Sequence, residues 1–170
     1  MDINEKVPQN IQALVGNIGE GMVLFKLYEL TYNHEHLEVF KNYSESGYDV
    51  GIRDARTGIK VRVEVKTRQR RISTSKESDK NSCHFTLTEN EKKCADIMVG
   101  YWLEFNDFFV VPVDKLDQMK NGKYNNGDQK FVYKHIVSRK KTQQPNGHKY
   151  SEKTMIYVNN WKIILDEITN

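Results

Sequence analysis

The chain is poor in cysteine. Its two, Cys83 and Cys94, stand eleven residues apart, with no Cys-x-x-Cys pair and no regular framework. That argues against a disulfide-built secreted scaffold, and a zinc centre would need more ligands at suitable spacing. Both thiols read as ordinary small residues in a reduced intracellular, cytoplasmic compartment. Long apolar runs are missing too: no window approaches 18 consecutive apolar residues, so no membrane span is expected. The N-terminus, MDINEKVPQN, lacks the basic and apolar parts of a signal peptide. Charge of one sign is scarce, since 26 basic residues against 23 acidic ones leave only +3. That balance is too mild to identify a nucleic-acid partner by itself; where the positive charge clusters matters more. There is no internal repeat and no linker long enough to divide the chain.

What remains describes one domain spanning residues 1–170. At 38% hydrophobic and 11% aromatic residues the chain can bury a real core. A mean hydropathy of −0.73 calls for a strongly polar surface.

Local patterning gives the order of elements. Residues 8–32 read as a helix opened by Pro8. Ile11, Leu14, Val15, Ile18, Met22 and Phe25 recur at three- and four-residue steps as one apolar stripe. Gly16, Gly19 and Gly21 imply either a break near Gly16 or a close approach to another backbone, and Glu20 sits among them. Residues 34–41 read as a short edge strand and 42–47 as a polar loop. In 48–53, Tyr48, Val50 and Ile52 alternate with Asp49, Gly51 and Arg53, the period of a strand. Asp54 falls in the following turn. Ile59, Val61, Val63 and Val65 form an apolar row opposite Lys60, Arg62, Glu64 and Lys66.

Residues 68–82, rich in charge and serine, read as a basic loop. A strand follows at 83–88, carrying His84 on the same sheet. Thr88 or Asn90 caps a short helix over 89–95. Apolar strands at 96–103 and 108–113 flank a turn, then a short helix or turn at 113–119. The C-terminal third reads as a polar loop (120–130), a strand (131–137), a second basic loop (138–150), a short strand (155–158) and an amphipathic helix (161–168). The fold class expected is α/β with a mixed central sheet flanked by helices.

The stretch with most chemical content is SGYDVGIRDARTGIKVRVEVKTRQ, residues 46–69. Asp49 on one strand, with Glu64 and Lys66 on the next, would gather two carboxylates and a lysine on one side of a sheet. Glu64 and Lys66, two apart, project from the same face. Phosphodiester hydrolysis needs a nucleophilic water, a sink for charge on phosphorus and help for the leaving oxygen. Mg²⁺ takes oxygen ligands, usually one or two carboxylates plus waters and substrate phosphate. Asp49 and Glu64 supply such oxygens, the Val65 carbonyl is a reasonable third, and an ammonium at Lys66 can orient water and neutralise phosphate charge. Each piece alone has a plainer reading: a solvated acid, a surface ion pair, or, for Glu20, the polar edge of a helix.

An Asp followed about fifteen residues later by Glu-Val-Lys at the end of the next strand resembles the PD-(D/E)XK nuclease superfamily, the restriction-endonuclease-like group. Here the Asp lies in Ser-Gly-Tyr-Asp49, and Ile18-Gly19-Glu20 matches the further acid that the family often carries on its first helix. Tyr48 stands where the family often has proline. The resemblance covers residues of roughly 10 to 113 and leaves the C-terminal third for DNA recognition or dimerisation. It implies a core of helix, three antiparallel strands, helix and a further strand. It also implies a Mg²⁺-dependent DNA endonuclease, with Mn²⁺ as a substitute, giving a 5′-phosphate and a 3′-hydroxyl. In that reading Asp49 and Glu64 bind metal, Lys66 positions and activates the water, and Glu20 assists through water or a second ion. Duplex DNA is the expected partner, met by Arg68, Arg70, Arg71 and Lys76 of the first basic loop and Arg139, Lys140 and Lys141 of the second. The twofold relation of duplex strands makes a homodimer the expected assembly. A type II restriction enzyme is the first expectation. A structure-specific nuclease such as a Holliday-junction resolvase, a homing endonuclease on the same fold, and a non-catalytic DNA-binding module are the alternatives.

Overall fold

The computed structural model describes residues 8–69, 81–119, 124–126, 129–141 and 148–169. Helix α1 (Gln9–Thr31) is unbroken and begins directly after Pro8. Then come β1 (Leu37–Lys41), β2 (Val50–Asp54) and β3 (Lys60–Arg68), the strands β4 (Ser82–Thr88) and β5 (Ile97–Trp102) separated by helix α2 (Glu89–Cys94), and β6 (Asp107–Pro112). The C-terminal third holds β7 (Tyr124–Asn126), β8 (Gln129–Ser138), β9 (Lys140–Lys141), β10 (His148–Lys149), α3 (Glu152–Met155) and α4 (Lys162–Thr169). Among the described residues no helix is long and apolar enough to cross a membrane.

The central sheet has the order β1-β2-β3-β5-β6, antiparallel except for the parallel pair β3·β5. This is the α/β, mixed-sheet class expected from the pattern. A second sheet, β4-β8-β7, covers one face of the first. His84 therefore belongs to another sheet than Glu64, contrary to the expectation that they share one. The crossover that makes β3 and β5 parallel passes through β4, and β4 pairs with β8 rather than staying in the central sheet. Three other expectations fail in the C-terminal third, the first being the loop at 138–150, which contains the antiparallel pair β9·β10. The expected loop at 120–130 contains β7 and the start of β8, which pair from Tyr124↔Phe131 to Asn126↔Gln129. The expected strand at 155–158 is instead the end of α3 and a turn, with only one bridge, Phe109↔Val158, because Ser151 and Thr154 backbone bonds close helical turns there.

Alternation along the strands feeds two cores. Val61, Val63 and Val65 of β3 with Ile97 and Val99 of β5 pack against Val23 and Leu27 of α1 and Ile164 and Ile168 of α4. On the other face Met98 and Trp102 meet Phe85 and Leu87 of β4, Phe109 and Val111 of β6 and Val137 of β8. Strand β5 is buried along its whole length, as a strand covered on both faces should be. Each fully buried side chain here contributes about 1.5–3 kcal/mol. Gly100 lets the Phe85 ring lie on the β5 backbone; a Cβ there would come within 2.7 Å of it.

Helix α1 corrects the sequence reading. Its buried residues are Gly19, Val23, Leu27 and Thr31. Leu14, Ile18 and Phe25, read as part of one apolar stripe, are 53%, 38% and 56% exposed. The true core stripe runs at steps of four through a glycine and a threonine, which an apolar count passes over. Gly19 is where the helix meets the sheet: a Cβ there would stand 1.6 Å from Thr67 Oγ1. Close approach, not a helix break, explains this glycine.

Candidate active site

The site forms where β2 begins and β3 turns parallel to β5. Val50 is the register partner of Val63, yet the Asp49 N–H also donates to the Val63 carbonyl at 3.0 Å. Two successive residues thus address one, the bonding pattern of a β-bulge. The sequence alternation places Tyr48, Val50 and Ile52 on one face. Instead Val50 and Ile52 enter the α1 core, while Tyr48 enters the opposite one beside Phe40. The bulge breaks the period between Tyr48 and Val50 and re-aims Asp49, whose Oδ2 accepts the Val65 N–H at 2.8 Å. Along a strand the N–H and C=O of one residue face the same edge. The Val65 carbonyl therefore faces the edge that carries Asp49.

Glu64 and Lys66 project from the face of β3 away from α1. Glu64 is only 5% exposed. Lys66 Nζ donates to Glu64 Oε1 at 2.5 Å and to Glu91 Oε1 at 2.8 Å. Glu91 was not singled out by the sequence reading. It lies on α2, where its other oxygen accepts the Thr88 N–H at 2.7 Å and its own N–H donates to Thr88 Oγ1 at 3.2 Å. This capping box fixes α2 and aims Glu91 at Lys66. The Thr88-x-x-Glu91 spacing was the signal available in the sequence.

The electrostatics of the cluster are unbalanced. Burial, reinforced by the neighbouring Asp49 charge and opposed by Lys66, pushes Glu64 up to about 8. Burial also raises Asp49, with Glu20 and Glu91 adding to the rise while the Val65 N–H and Lys66 oppose it. For Lys66 burial acts downward, but the two carboxylates it touches outweigh it, and its pKa lies above the usual lysine value. Lys66 thus keeps its proton at neutral pH. Burial acts upward on Glu91, yet Lys66 and the Thr88 cap bring it below the ordinary glutamate value.

Three carboxylates around one lysine leave net negative charge in a partly buried site, which suits a divalent cation. Among the described residues no group of three or more His, Cys, Asp and Glu side chains is placed to hold a metal ion. Asp49 and Glu64 fit the one-or-two-carboxylate habit of Mg²⁺. Glu20 is held by Lys41 at 2.8 Å and reaches Asp49 through its field.

The remaining candidates are dispersed. Arg68 donates to the His84 carbonyl at 3.1 Å and to the Thr67 carbonyl, tying β3 to β4. Arg139 lies 3.4 Å over the Phe105 ring, a stacked packing residue rather than a free loop cation. Lys140 is exposed on β9 next to Lys141. Arg70, Arg71 and Lys76 lie outside the described residues. Asp96 receives Arg62 through two side-chain bonds at 3.0 and 2.8 Å and its backbone N–H at 2.8 Å, fixing the start of the parallel pair. Asp54, expected in the turn, is instead the buried last residue of β2, paired with Leu37 and engaged by Arg56.

The architecture is that of the restriction-endonuclease-like fold. The chain superposes on the bacterial homing endonuclease I-Ssp6803I with a TM-score of 0.58 at 18% identity, covering 92% of this chain and 93% of that one. It is also similar to Hjc, a Holliday junction resolvase from Archaeoglobus fulgidus, with a TM-score of 0.40 at 14% identity over 72% of this chain and 83% of that one. No family model and no curated protein sequence matches.

Proposed function

We propose that the chain is a divalent-metal-dependent endonuclease that hydrolyses DNA phosphodiester bonds. The observation that carries this reading is Lys66 held charged between Glu64 and Glu91, beside an Asp49 whose carboxylate is fixed on the Val65 amide. Asp49 and Glu64, with the Val65 carbonyl, are the oxygens that would hold Mg²⁺ or Mn²⁺. Such an ion, when bound, would supply a sink for negative charge on the phosphate and make water a better nucleophile. Lys66 contributes a permanent ammonium. With its pKa raised it is not a proton acceptor, so its role is to orient the water and to neutralise a phosphate oxygen by donation. Glu91 keeps that ammonium charged and in place. Water adds to phosphorus and gives up a proton to solvent, the bond to the 3′-oxygen breaks, and that oxygen takes up a proton from solvent, leaving a 5′-phosphate and a 3′-hydroxyl.

Three specialisations share this core: restriction enzyme, junction resolvase and homing endonuclease. The likeness to a homing endonuclease over 92% of this chain supports a site-reading enzyme of the homing type over the restriction type. DNA is met through the cationic segments beside the site, and the C-terminal third reads the target.

The test is nicking of supercoiled plasmid in Mg²⁺, with EDTA and Lys66→Ala as controls, followed by end mapping on long sequenced DNA. Loss of one charge-stabilising donor is expected to cost about 100-fold in rate or more. Discrete ends support sequence reading, and ends at crossovers support structure reading. Binding without any cleavage in Mg²⁺ or Mn²⁺, across varied substrates, would overturn catalysis and leave a DNA-binding module.

A further inference from the structure

The apolar residues of α1 that do not face the core form a second, outward stripe. Ile11, Leu14, Ile18, Gly21, Phe25 and Tyr28, continued by Tyr32 directly after the helix, follow one another at alternating steps of three and four, the heptad spacing of a helix–helix seam. Five of them are large and exposed: Leu14 at 53%, Ile18 at 38%, Phe25 at 56%, Tyr28 at 57% and Tyr32 at 84%. The stripe is opposite the buried line through Gly19, Val23 and Leu27, so nothing in the protomer's own core explains it.

We propose that this face of α1 packs against the same face of a second copy of the chain, antiparallel, about a twofold axis passing near Gly21. The sequence of the stripe is self-complementary in that arrangement alone. Its first half is aliphatic and its second half aromatic, with the glycine between them. Antiparallel pairing about Gly21 sets Ile18 against Phe25, Leu14 against Tyr28 and Ile11 against Tyr32, so each aliphatic side chain meets a ring. A parallel pairing would stack like on like. Gly21 has open space around it, with nothing within 4 Å of where a Cβ would stand, so two backbones can approach at the crossing.

The area is of the right order. The exposed parts of the three rings amount to roughly 400 Å². Leu14 and Ile18 extend this apolar centre, against the roughly 800 Å² per partner of a standard interface. Asn10, Asn17 and Glu29 flank the seam as a polar rim. Of these only Glu29 is charged, and Lys26 already pairs with it at 2.7 Å. Among the described residues no cluster of like charge on this face opposes the pairing, and no basic cluster there invites a polyanion. Glu64 and Lys66 project from the sheet face away from α1, so the pairing leaves both candidate sites open. The proposal does not depend on the nuclease reading.

Sedimentation velocity over roughly 1 to 100 µM is the test, the range in which a standard interface is populated. The wild type is expected at twice its 19.9 kDa chain mass. Ile18→Glu with Phe25→Glu, both at exposed positions and so compatible with folding, is expected to weaken association by roughly 30-fold or more. Circular dichroism confirms that the variant is folded. In a Cys94→Ser background, Gly21→Cys is expected to cross-link to a covalent dimer on mild oxidation, and Gln12→Cys is not. A wild type that stays monomeric throughout overturns the proposal. So does a dimer indifferent to the two charges, or one in which Gly21→Cys fails to cross-link.

Discussion

Replacing Glu64 by Gln should make the metal-free protein more stable, and by an amount that depends on pH. Glu64 is buried with its pKa pushed from 4.5 to about 8. A carboxyl raised in the folded state favours folding fully only below its unfolded pKa. That advantage disappears as pH rises through the folded value. At 1.36 kcal/mol per unit, keeping this group in its buried place rather than in water costs about 1 kcal/mol at pH 5, about 3 at pH 7 and about 4 at pH 8. Glutamine has the same shape and no charge, and its amide oxygen can still accept from Lys66, which also keeps Glu91. Urea unfolding in EDTA, followed by circular dichroism from pH 5 to 8, should show the variant gaining on the wild type by about 3 kcal/mol across that range, with unchanged slope. Adding Mg²⁺ at 100 times its dissociation constant should return about 3 kcal/mol to the wild type and little to the variant. A stability difference that stays flat with pH would refute the claim that burial and the Asp49 charge hold this carboxyl. A Mg²⁺ response equal in both proteins would refute its part in binding metal.

Glu91→Gln should behave oppositely. Because Glu91 lies below its ordinary pKa, its contribution is present above that value and lost as pH falls through the folded one. The variant should lose about 2 kcal/mol at pH 7 and little at low pH in the same urea series, and nicking should slow while DNA binding holds. Asp49→Ala should cost about 1–3 kcal/mol by leaving the Val65 N–H unpaired, while Asp49→Asn should keep stability and lose cleavage; equal stability losses would deny the Asp49–Val65 bond. Within α1, Gly19→Ala should destabilise by about 1–3 kcal/mol through overlap with Thr67. Gly16→Ala, with open space, should stabilise by up to about 1 kcal/mol, and thermal melts compare the pair.

Strand β3 was legible because it alternates strictly. Val61, Val63 and Val65 face one core as their period requires, and the Glu64–Lys66 pair is the complement of that row. The short helix was legible through Thr88, but not Glu91's second task. A capping residue has a sufficient local reason to be there, and only the fold brings Lys66 to it. In the C-terminal third the strand read at 131–137 and the helix read at 161–168 stand as β8 and α4, whereas β7 was missed because its three polar residues take their pairing from β8 and show no pattern of their own. Helix α1 was misread for a different reason. Two stripes compete on one helix, and the more hydrophobic one faces outward, while the core line runs through Gly19 and Thr31. Hydrophobicity alone cannot rank the faces when the closest contact is made by a residue with no side chain.

Asp49 reaches Glu64 and Lys66 by another route than alternation suggests. Alternation put it on the face of Gly51 and Arg53, and a regular ladder would keep it there in step with them. The bulge interrupts that step, and the interruption is what frees its carboxylate for the Val65 amide, between the two residues whose side chains form the rest of the site. The local irregularity fixes a half-buried acid on a backbone amide. It is tolerated because two cores, one on each face, hold β3 in place independently of it. The site is therefore assembled where regular structure ends, with its stability supplied from where regular structure continues.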